Sequence, residues 1–139
     1  MAVVLIAWAS ALFPPACLRG VLAATSICFD LSVFELMAPL SRGGKVIVAE
    51  NALRLPELKA AEEVKLINTV PSAIRELAGS GGIPESAETV NLAGEALRNG
   101  LAQEVYEVGT VKRVVNLYGP TEDTTYSTWT VVALSLIHI

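Results

Sequence analysis

Short runs of β-branched and aliphatic residues alternate, through the middle of this chain, with segments that repeat apolar residues at helical spacing. The runs typical of strands cover residues 45–49, 64–70, 89–92 and 111–117. The segments typical of helices cover residues 31–41, 56–63, 72–77 and 95–108. Strands separated by helices of about ten residues form βαβ units, in which neighbouring strands are parallel. The sequence therefore predicts an α/β fold with a mostly parallel sheet flanked by helices.

Local signals refine the ends of these elements. Asp30 or Ser32 is expected to cap the first helix, and Ser72 is expected to cap the third. The run at residues 45–49 is apolar enough to be a buried strand. Residues 124–132 follow a Gly-Pro turn and alternate β-branched with aromatic side chains, which is typical of an edge or hairpin strand.

Composition and charge argue against several classes of protein. The 139 residues carry ten Lys and Arg against fourteen Asp and Glu, and this net charge of −4 argues against a nucleic-acid-binding surface. No apolar run reaches the roughly 18–20 residues that a membrane-spanning helix needs. The apolar residues 2–15 lack the basic region of a secretory signal peptide. We therefore expect a cytoplasmic protein that binds neither nucleic acid nor a membrane.

The cysteines and the histidine do not form a recognisable catalytic or metal-binding pattern. Cys17 and Cys28 are isolated thiols, which we expect to be buried and reduced, although a disulfide between them stays open. His138 is the single histidine and has no obvious nucleophile as a partner. The chemistry must therefore be sought among the other polar residues.

Polar residues cluster in three loops, and parallel sheets bind their ligands in such loops at the carboxyl ends of the strands. Asp30 interrupts a strongly apolar sequence, and it is either a helix cap or a counter-ion for a ligand ammonium group. Residues 91–95 form either a plain turn or a surface of small residues that a flat ligand approaches closely. Residues 116–122 combine an aromatic ring, a hydroxyl and a carboxylate. They form either a solvated turn or a site for a base, a phosphate and Mg²⁺.

These three loops resemble motifs of a known family. The run Asn-Leu-Tyr-Gly-Pro-Thr-Glu at residues 116–122 resembles the nucleotide-binding core of adenylate-forming enzymes. Phe-Asp-Leu-Ser-Val-Phe-Glu-Leu at residues 29–36 and Ala-Gly-Glu at residues 93–95 are similar to motifs of the adenylation domains of nonribosomal peptide synthetases, in the same order. The resemblance covers residues 18–132. It implies a partial AMP-binding domain from the large N-terminal subdomain of such an enzyme.

The two ends of the chain depart from the family pattern. Residues 1–17 and 133–139 do not match it, and the family's phosphate loop, ribose-binding motif and catalytic lysine have no counterpart in the sequence. Without these groups the charge that develops on the α-phosphate lacks a cationic partner. The resemblance therefore implies an internal fragment that is inactive on its own.

The resemblance implies a role for each matching residue. Thr121 and Glu122 would be catalytic, with Thr121 binding a phosphate of ATP and Glu122 binding Mg²⁺. Asp30 would hold the α-ammonium group of an amino acid. The implied nucleotide-binding residues are Ala93, Gly94, Glu95, Asn116, Tyr118, Gly119 and Thr121, of which Tyr118 would stack on adenine. The implied lining of the amino-acid pocket is Asp30, Leu31, Phe34, Asn68, Asn91, Ala93, Leu117, Thr125 and Tyr126.

The implied activity is the ATP-dependent formation of an aminoacyl-adenylate. The acyl group would then pass to phosphopantetheine on a neighbouring carrier domain, beside a condensation domain. Since Asp30 is the only charge in the implied pocket, we expect a small uncharged side chain on the substrate. The string of pocket residues resembles those of alanine-activating domains, which implies alanine as the substrate, with another small neutral amino acid next. Two alternatives stay open. One is an acyl-CoA synthetase or aryl-acid ligase of the same superfamily, and the other is an inert remnant that binds nucleotide or nothing.

Overall fold

The computed structural model describes residues 2–28, 31–118 and 128–134. The α-helices are Ala2–Leu12 (α1), Leu31–Leu40 (α2), Pro71–Ser80 (α3) and Asn99–Glu107 (α4). The strands are Gly20–Ala23 (β1), Lys45–Val48 (β2), Leu66–Thr69 (β3), Thr89–Leu92 (β4), Arg113–Tyr118 (β5) and Thr128–Val132 (β6). Short 3₁₀ helices cover Cys17–Arg19, Ala52–Glu57 and Ala61–Glu63.

The described strands form one sheet in the order β2-β1-β3-β4-β5-β6. Neighbours from β2 to β5 are parallel, and β6 is antiparallel to β5 at the edge. The predicted α/β fold with a mostly parallel sheet is confirmed. The edge strand predicted over residues 124–132 is confirmed for the residues of it that are described.

Helices cover both faces of the sheet, because successive side chains of a strand point to opposite faces. On the face that α3 and α4 cover, here named the α3 face, Ile74 and Val105 pack with Val114. On the face that α1 and α2 cover, named the α2 face, Phe13 and Phe34 pack edge to face with their ring centres 5.6 Å apart. The sheet therefore separates two apolar cores.

Helix α1 belongs to the core of the α2 face. Leu5 and Ala9 are buried there, and Trp8 packs edge to face on Phe13 and Phe34. The helix has eleven residues. None of the helices in the described part of the chain has the length and apolar character needed to cross a membrane.

The predicted helix starts and caps were partly wrong. Ser32 and Ser72 lie inside α2 and α3 rather than in front of them. Proline is favoured at the first position of a helix because it has no N–H to leave unpaired, so α3 starts at Pro71. Helix α4 starts at Asn99 instead of residue 95, because the backbone at Arg98 is still extended, with a ψ of 139°.

Two further segments differ from the prediction, one in its type of helix and the other in its burial. Residues 56–63 do not form one α-helix: residues 56–57 end one 3₁₀ helix and residues 61–63 form another, since the backbone between them is extended at Leu58, with a ψ of 139°. Strand β2 is an edge strand, in which Ile47 is buried but Lys45 and Val48 are exposed. The apolar run at residues 45–49 therefore correctly predicted a strand but wrongly predicted a buried one.

The two thiols are free, as predicted. Cys17 is half-buried and lies 3.4 Å from the hydroxyl of Thr89. Cys28 is exposed, so the prediction that both thiols are buried was wrong. Cys28 lies in the loop between β1 and α2.

Candidate functional site

The parallel strands β1, β3, β4 and β5 end at the same edge of the sheet, and the predicted pocket residues gather there on the α2 face. Phe34, Ala93 and Leu117 belong to one buried cluster, and Leu31 packs against it. Asn68 and Asn91 are also on this face. They are register partners on β3 and β4, two residues from Leu66 and Ala93 of the same cluster. Six of the nine predicted pocket residues are thus adjacent, although they come from four separate elements. The other three, Asp30, Thr125 and Tyr126, lie outside the described residues.

Asn91 is the most unusual member of this group. Its side chain is fully buried, and neither its amide oxygen nor its amide nitrogen has a hydrogen-bond partner. A buried amide that lacks partners costs about 1–3 kcal/mol. A ligand with a polar group beside β4 would remove that cost. Asn91 is therefore a residue that can recognise a bound molecule.

The predicted site residues of strand β5 point to both faces of the sheet. Leu117 points to the α2 face, whereas Asn116 and Tyr118 alternate with it and point to the α3 face. The Tyr118 side chain is 70% exposed. A flat ring of that exposure suits stacking on a base. The predicted role of Tyr118 in adenine binding stays a prediction.

The loop after β4 turns tightly beside the start of α3. Gly94 has a φ of +84°, in the left-handed region that favours glycine. A Cβ at this position would lie 3.3 Å from Cγ1 of Val70. The glycine at position 94, which the sequence singled out, is therefore required by the turn itself.

Glu95 fastens this loop to α3. Its Oε1 accepts a hydrogen bond from the backbone N–H of Ser72 at 3.0 Å, and its Oε2 accepts one from the Ser72 hydroxyl at 2.8 Å. Glu95 thus supplies the helix cap that the sequence assigned to Ser72. Its predicted contact with nucleotide stays a prediction, and both of its oxygens already have a protein partner.

A buried carboxyl that the sequence analysis missed lies next to the pocket. Glu35 on α2 is fully buried. Burial raises the pKa of Glu35 to about 7, against hydrogen bonds from Thr25 and Asn68 that lower it. The sequence did contain a signal, because Glu35 is the single charge within the apolar run Leu-Ser-Val-Phe-Glu-Leu-Met-Ala.

The predicted phosphate and metal residues cannot be placed in this geometry. Gly119, Thr121 and Glu122 lie outside the described residues. Among the residues that are described, no three His, Cys, Asp or Glu side chains lie close enough together to hold a metal ion. The Mg²⁺ site predicted at Glu122 stays a prediction.

Comparison with known proteins identifies the family. A model of the AMP-binding enzyme family matches residues 7–136, a span that begins before residue 18 and ends after residue 132. A linear gramicidin synthase of Brevibacillus parabrevis is 62% identical over 122 residues, which make up 88% of this chain and 2% of that protein.

Solved structures agree with this assignment. Holo-AB3403, a four domain nonribosomal peptide synthetase bound to AMP and glycine, has a TM-score of 0.72 and 30% identity over 84% of this chain and 9% of that one. The nonribosomal peptide synthetase FmoA3, in a form bound to alpha-methyl-L-serine-AMP, has a TM-score of 0.83. Its match covers 97% of this chain and 16% of that one at 22% identity, and shows the shared fold. The chain spans a small part of each relative. It belongs to the AMP-binding enzyme family, among the adenylation domains of nonribosomal peptide synthetases.

Proposed function

We propose that this chain forms the amino-acid pocket of a ligase that activates an amino acid with ATP inside a nonribosomal peptide synthetase. The observation that carries the proposal is the group of pocket residues on the α2 face. Phe34, Ala93 and Leu117 supply apolar walls, and Asn91 supplies a buried amide in need of a partner. Such walls suit a small uncharged side chain, since a charged one would lose its hydration without compensation.

Alanine, or another small neutral amino acid, is the substrate that we propose. The rings and branched side chains of Phe34 and Leu117 occupy space that a large substrate side chain would need. Glycine bound to the relative AB3403, which shares 30% identity with this chain, supports a small substrate. Asp30 would serve as the counter-ion for the α-ammonium group, which a plain carboxylic acid lacks.

In the proposed reaction, a carboxylate oxygen of the amino acid attacks the α-phosphorus of ATP. The bond from that phosphorus to the bridging oxygen breaks, and pyrophosphate leaves with the electron pair. Tyr118 would stack on the adenine, the turn at Gly94 would let the ring approach the backbone, and Thr121 would donate a hydrogen bond to a phosphate oxygen. Mg²⁺, held by Glu122, would neutralise phosphate charge.

We further propose that the activated acyl group passes to the thiol of phosphopantetheine on a carrier domain, which works beside a condensation domain. The thiol sulfur attacks the acyl carbon and AMP leaves. The four domain organisation of AB3403 supports such partners. A cytoplasmic location fits the need for ATP and the free thiols of Cys17 and Cys28.

Amino-acid-dependent exchange of pyrophosphate into ATP tests this function in the longest natural protein that carries this sequence. We expect the highest kcat/KM with alanine, glycine or serine, and little exchange with lysine, glutamate or tryptophan. A preference for a charged or large aromatic amino acid would refute the proposed pocket. Exchange driven by acids without an amino group would instead indicate an acyl-CoA synthetase or aryl-acid ligase.

The substitution Asn91→Asp tests the pocket directly. It keeps the shape of the side chain but introduces an acid into a fully buried position, so we expect kcat/KM for alanine to fall about a hundredfold. Asn51→Asp is the matched control. Asn51 is exposed and its oxygen accepts from the N–H of Leu53 at 3.0 Å, a bond that Asp preserves. Equal activity of the two variants would show that Asn91 does not face the substrate.

A further inference from the structure

We propose that Trp8 on helix α1 is a positioning residue for the amino-acid pocket, because its indole ring packs on Phe34 and so limits the size of the substrate side chain. The inference deepens the proposed function and rests on it for the identity of the site. The ring contacts themselves are independent of that function. Trp8 was not among the predicted site residues.

Three aromatic rings meet where α1 packs on α2. The ring centres of Trp8 and Phe34 are 6.2 Å apart, and their planes meet at 63°. Phe13 packs edge to face on both, at 5.9 Å from Trp8 and 5.6 Å from Phe34. Rings favour this arrangement because the positive edge of one meets the negative face of another. Each ring therefore restricts the orientation of the other two.

Phe34 connects these rings to the predicted pocket. It is completely buried and belongs to the same apolar cluster as Ala93 and Leu117, two other predicted pocket residues. Helix α1 contributes buried residues to this cluster as well. Protein interiors are packed so closely that a buried ring moves only if a neighbour gives way. A displacement of Phe34 towards α1 therefore requires that the Trp8 or Phe13 ring also moves.

Helix α1 is attached to the sheet close to Trp8. The guanidinium of Arg113, the first residue of β5, donates a hydrogen bond to the carbonyl of Leu12 at 3.1 Å. The same guanidinium lies 5.5 Å from the centre of the Phe13 ring, which is within the range of a cation–π contact. Leu12 follows Trp8 by about one helical turn. The helix that carries Trp8 is therefore attached to β5, and this attachment resists a movement of the helix away from Phe34.

The chemistry of Trp8 suits control over the size of a substrate. Its indole carries no ionisable group and is half-buried, whereas the Phe34 ring is completely buried. The position of the Phe34 ring sets how much room remains beside Ala93 and Leu117. A hydrophobic pocket distinguishes side chains that differ by one methylene by about 10- to 200-fold. A small displacement of Phe34 should therefore change the preferred amino acid more than it changes ATP binding.

The match with the AMP-binding enzyme family also includes Trp8. That match begins at residue 7, although residues 1–17 were expected to lie outside the family pattern. Trp8 and Phe34 thus lie in the same matched span. This supports a role for Trp8 in the function of the domain.

The test uses pyrophosphate exchange in the longest natural protein that carries this sequence, with kcat/KM measured for alanine, valine and leucine. Trp8→Leu removes the ring that packs on Phe34 and leaves a cavity that the surroundings fill only in part. Phe34 can then move away from the pocket, so we expect the ratio of kcat/KM for valine to that for alanine to rise about tenfold. KM for ATP should change less than about twofold.

Two further variants complete the test. The conservative Trp8→Phe keeps a smaller ring on Phe34, so its ratio should lie between those of the wild type and Trp8→Leu. It also carries the test if Trp8→Leu does not fold, and a wild-type ratio in Trp8→Phe would then overturn the role. Val4→Ala, at an exposed position of the same helix, is the matched control and should leave the ratio unchanged.

The outcomes separate the inference from the function. An unchanged ratio in Trp8→Leu, or a loss of kcat/KM by the same factor for all three amino acids, overturns the positioning role and leaves the proposed function intact. If the wild-type protein exchanges with no amino acid, the proposed function fails, and NMR spectra of the 139-residue chain decide the ring contact by themselves. We expect the Phe34 ring resonances to shift in Trp8→Leu but not in Val4→Ala, because an indole 6.2 Å away changes the local magnetic field. Equal spectra would refute the contact.

Discussion

Two glutamates of this chain make the same pair of hydrogen bonds in opposite environments. Glu35 accepts from the backbone N–H and the hydroxyl of Thr25, and Glu95 accepts from the backbone N–H and the hydroxyl of Ser72. Glu35 is fully buried on α2, whereas Glu95 lies exposed in the loop after β4. Each fastens a loop that carries predicted site residues, so burial is the main variable that separates them.

Burial changes how much these hydrogen bonds contribute to stability. Water can replace the partners of an exposed carboxylate at little cost, so its hydrogen bonds contribute modestly to stability. In a buried site water cannot enter, and a donor that loses its acceptor stays unpaired. The buried contact therefore holds its loop more firmly, but it requires the carboxyl to give up its hydration. That requirement is visible in the pKa of Glu35, which burial raises from 4.5 to about 7.

The largest effect is expected from Glu35→Ala at pH 5, where the carboxyl is protonated in the folded chain. The substitution leaves a cavity beside α2 and removes the acceptor of Thr25, so the free energy of unfolding should fall by about 3–4 kcal/mol. Urea unfolding of the chain measures it. Glu76→Ala, at an exposed position on α3, is the control and should change stability by less than about 0.5 kcal/mol. Similar losses in the two variants would contradict the difference in burial.

The next effect is a dependence of stability on pH. The pKa of Glu35 is about 7 in the folded chain and 4.5 without burial, so between these values the folded state binds more protons than the unfolded state. The stabilisation is therefore complete below pH 4.5 and is lost as the pH rises through 7. The expected loss is about 2–3 kcal/mol. Unfolding of the wild-type chain and of Glu35→Gln at pH 5 and pH 8 measures it, since the variant cannot titrate there. A loss of equal size in both would assign the pH dependence to another group.

The smallest effect is expected at the exposed partner of the comparison. Glu95→Ala removes both hydrogen bonds to Ser72 and the cap of α3, which should lower the free energy of unfolding by about 1 kcal/mol. Ser72→Ala removes one of the two bonds and should cost less. Urea unfolding at pH 7 is again the measurement. A loss from Glu95→Ala as large as that from Glu35→Ala would show that burial does not separate the two sites.

Local patterns predicted the elements of this fold with varying success. Strand β4 was predicted over the residues that form it. Helix α4 was predicted to begin at residue 95, four residues too early. Glu95 favours a helix start by its type, but here its side chain binds Ser72, which is 23 residues earlier in the sequence. A contact between such distant residues has no local signal.

Some residues of the candidate site were predicted from local motifs, and others were not. Motif resemblance predicted Phe34, Asn91 and Leu117 as neighbours, and the structure places them on one face of the sheet. Glu35 was missed, although it follows Phe34 directly. Its charge alone did not distinguish a buried carboxyl from an exposed one. The contact with Thr25, ten residues away across a loop, made the distinction.

The sequence by itself determined the α/β class and the family, because periodicity and motifs are properties of neighbouring residues. The identity of the pocket residues stays a prediction of the same motifs. The tertiary structure alone decided the strand order β2-β1-β3-β4-β5-β6, the edge position of β2 and the pairing of each glutamate with its hydroxyl partner. These features depend on which distant segments pack together. Packing also sets how much water reaches a carboxyl. For this reason Glu35 and Glu95 make the same pair of hydrogen bonds, but these bonds are expected to contribute differently to the free energy of unfolding.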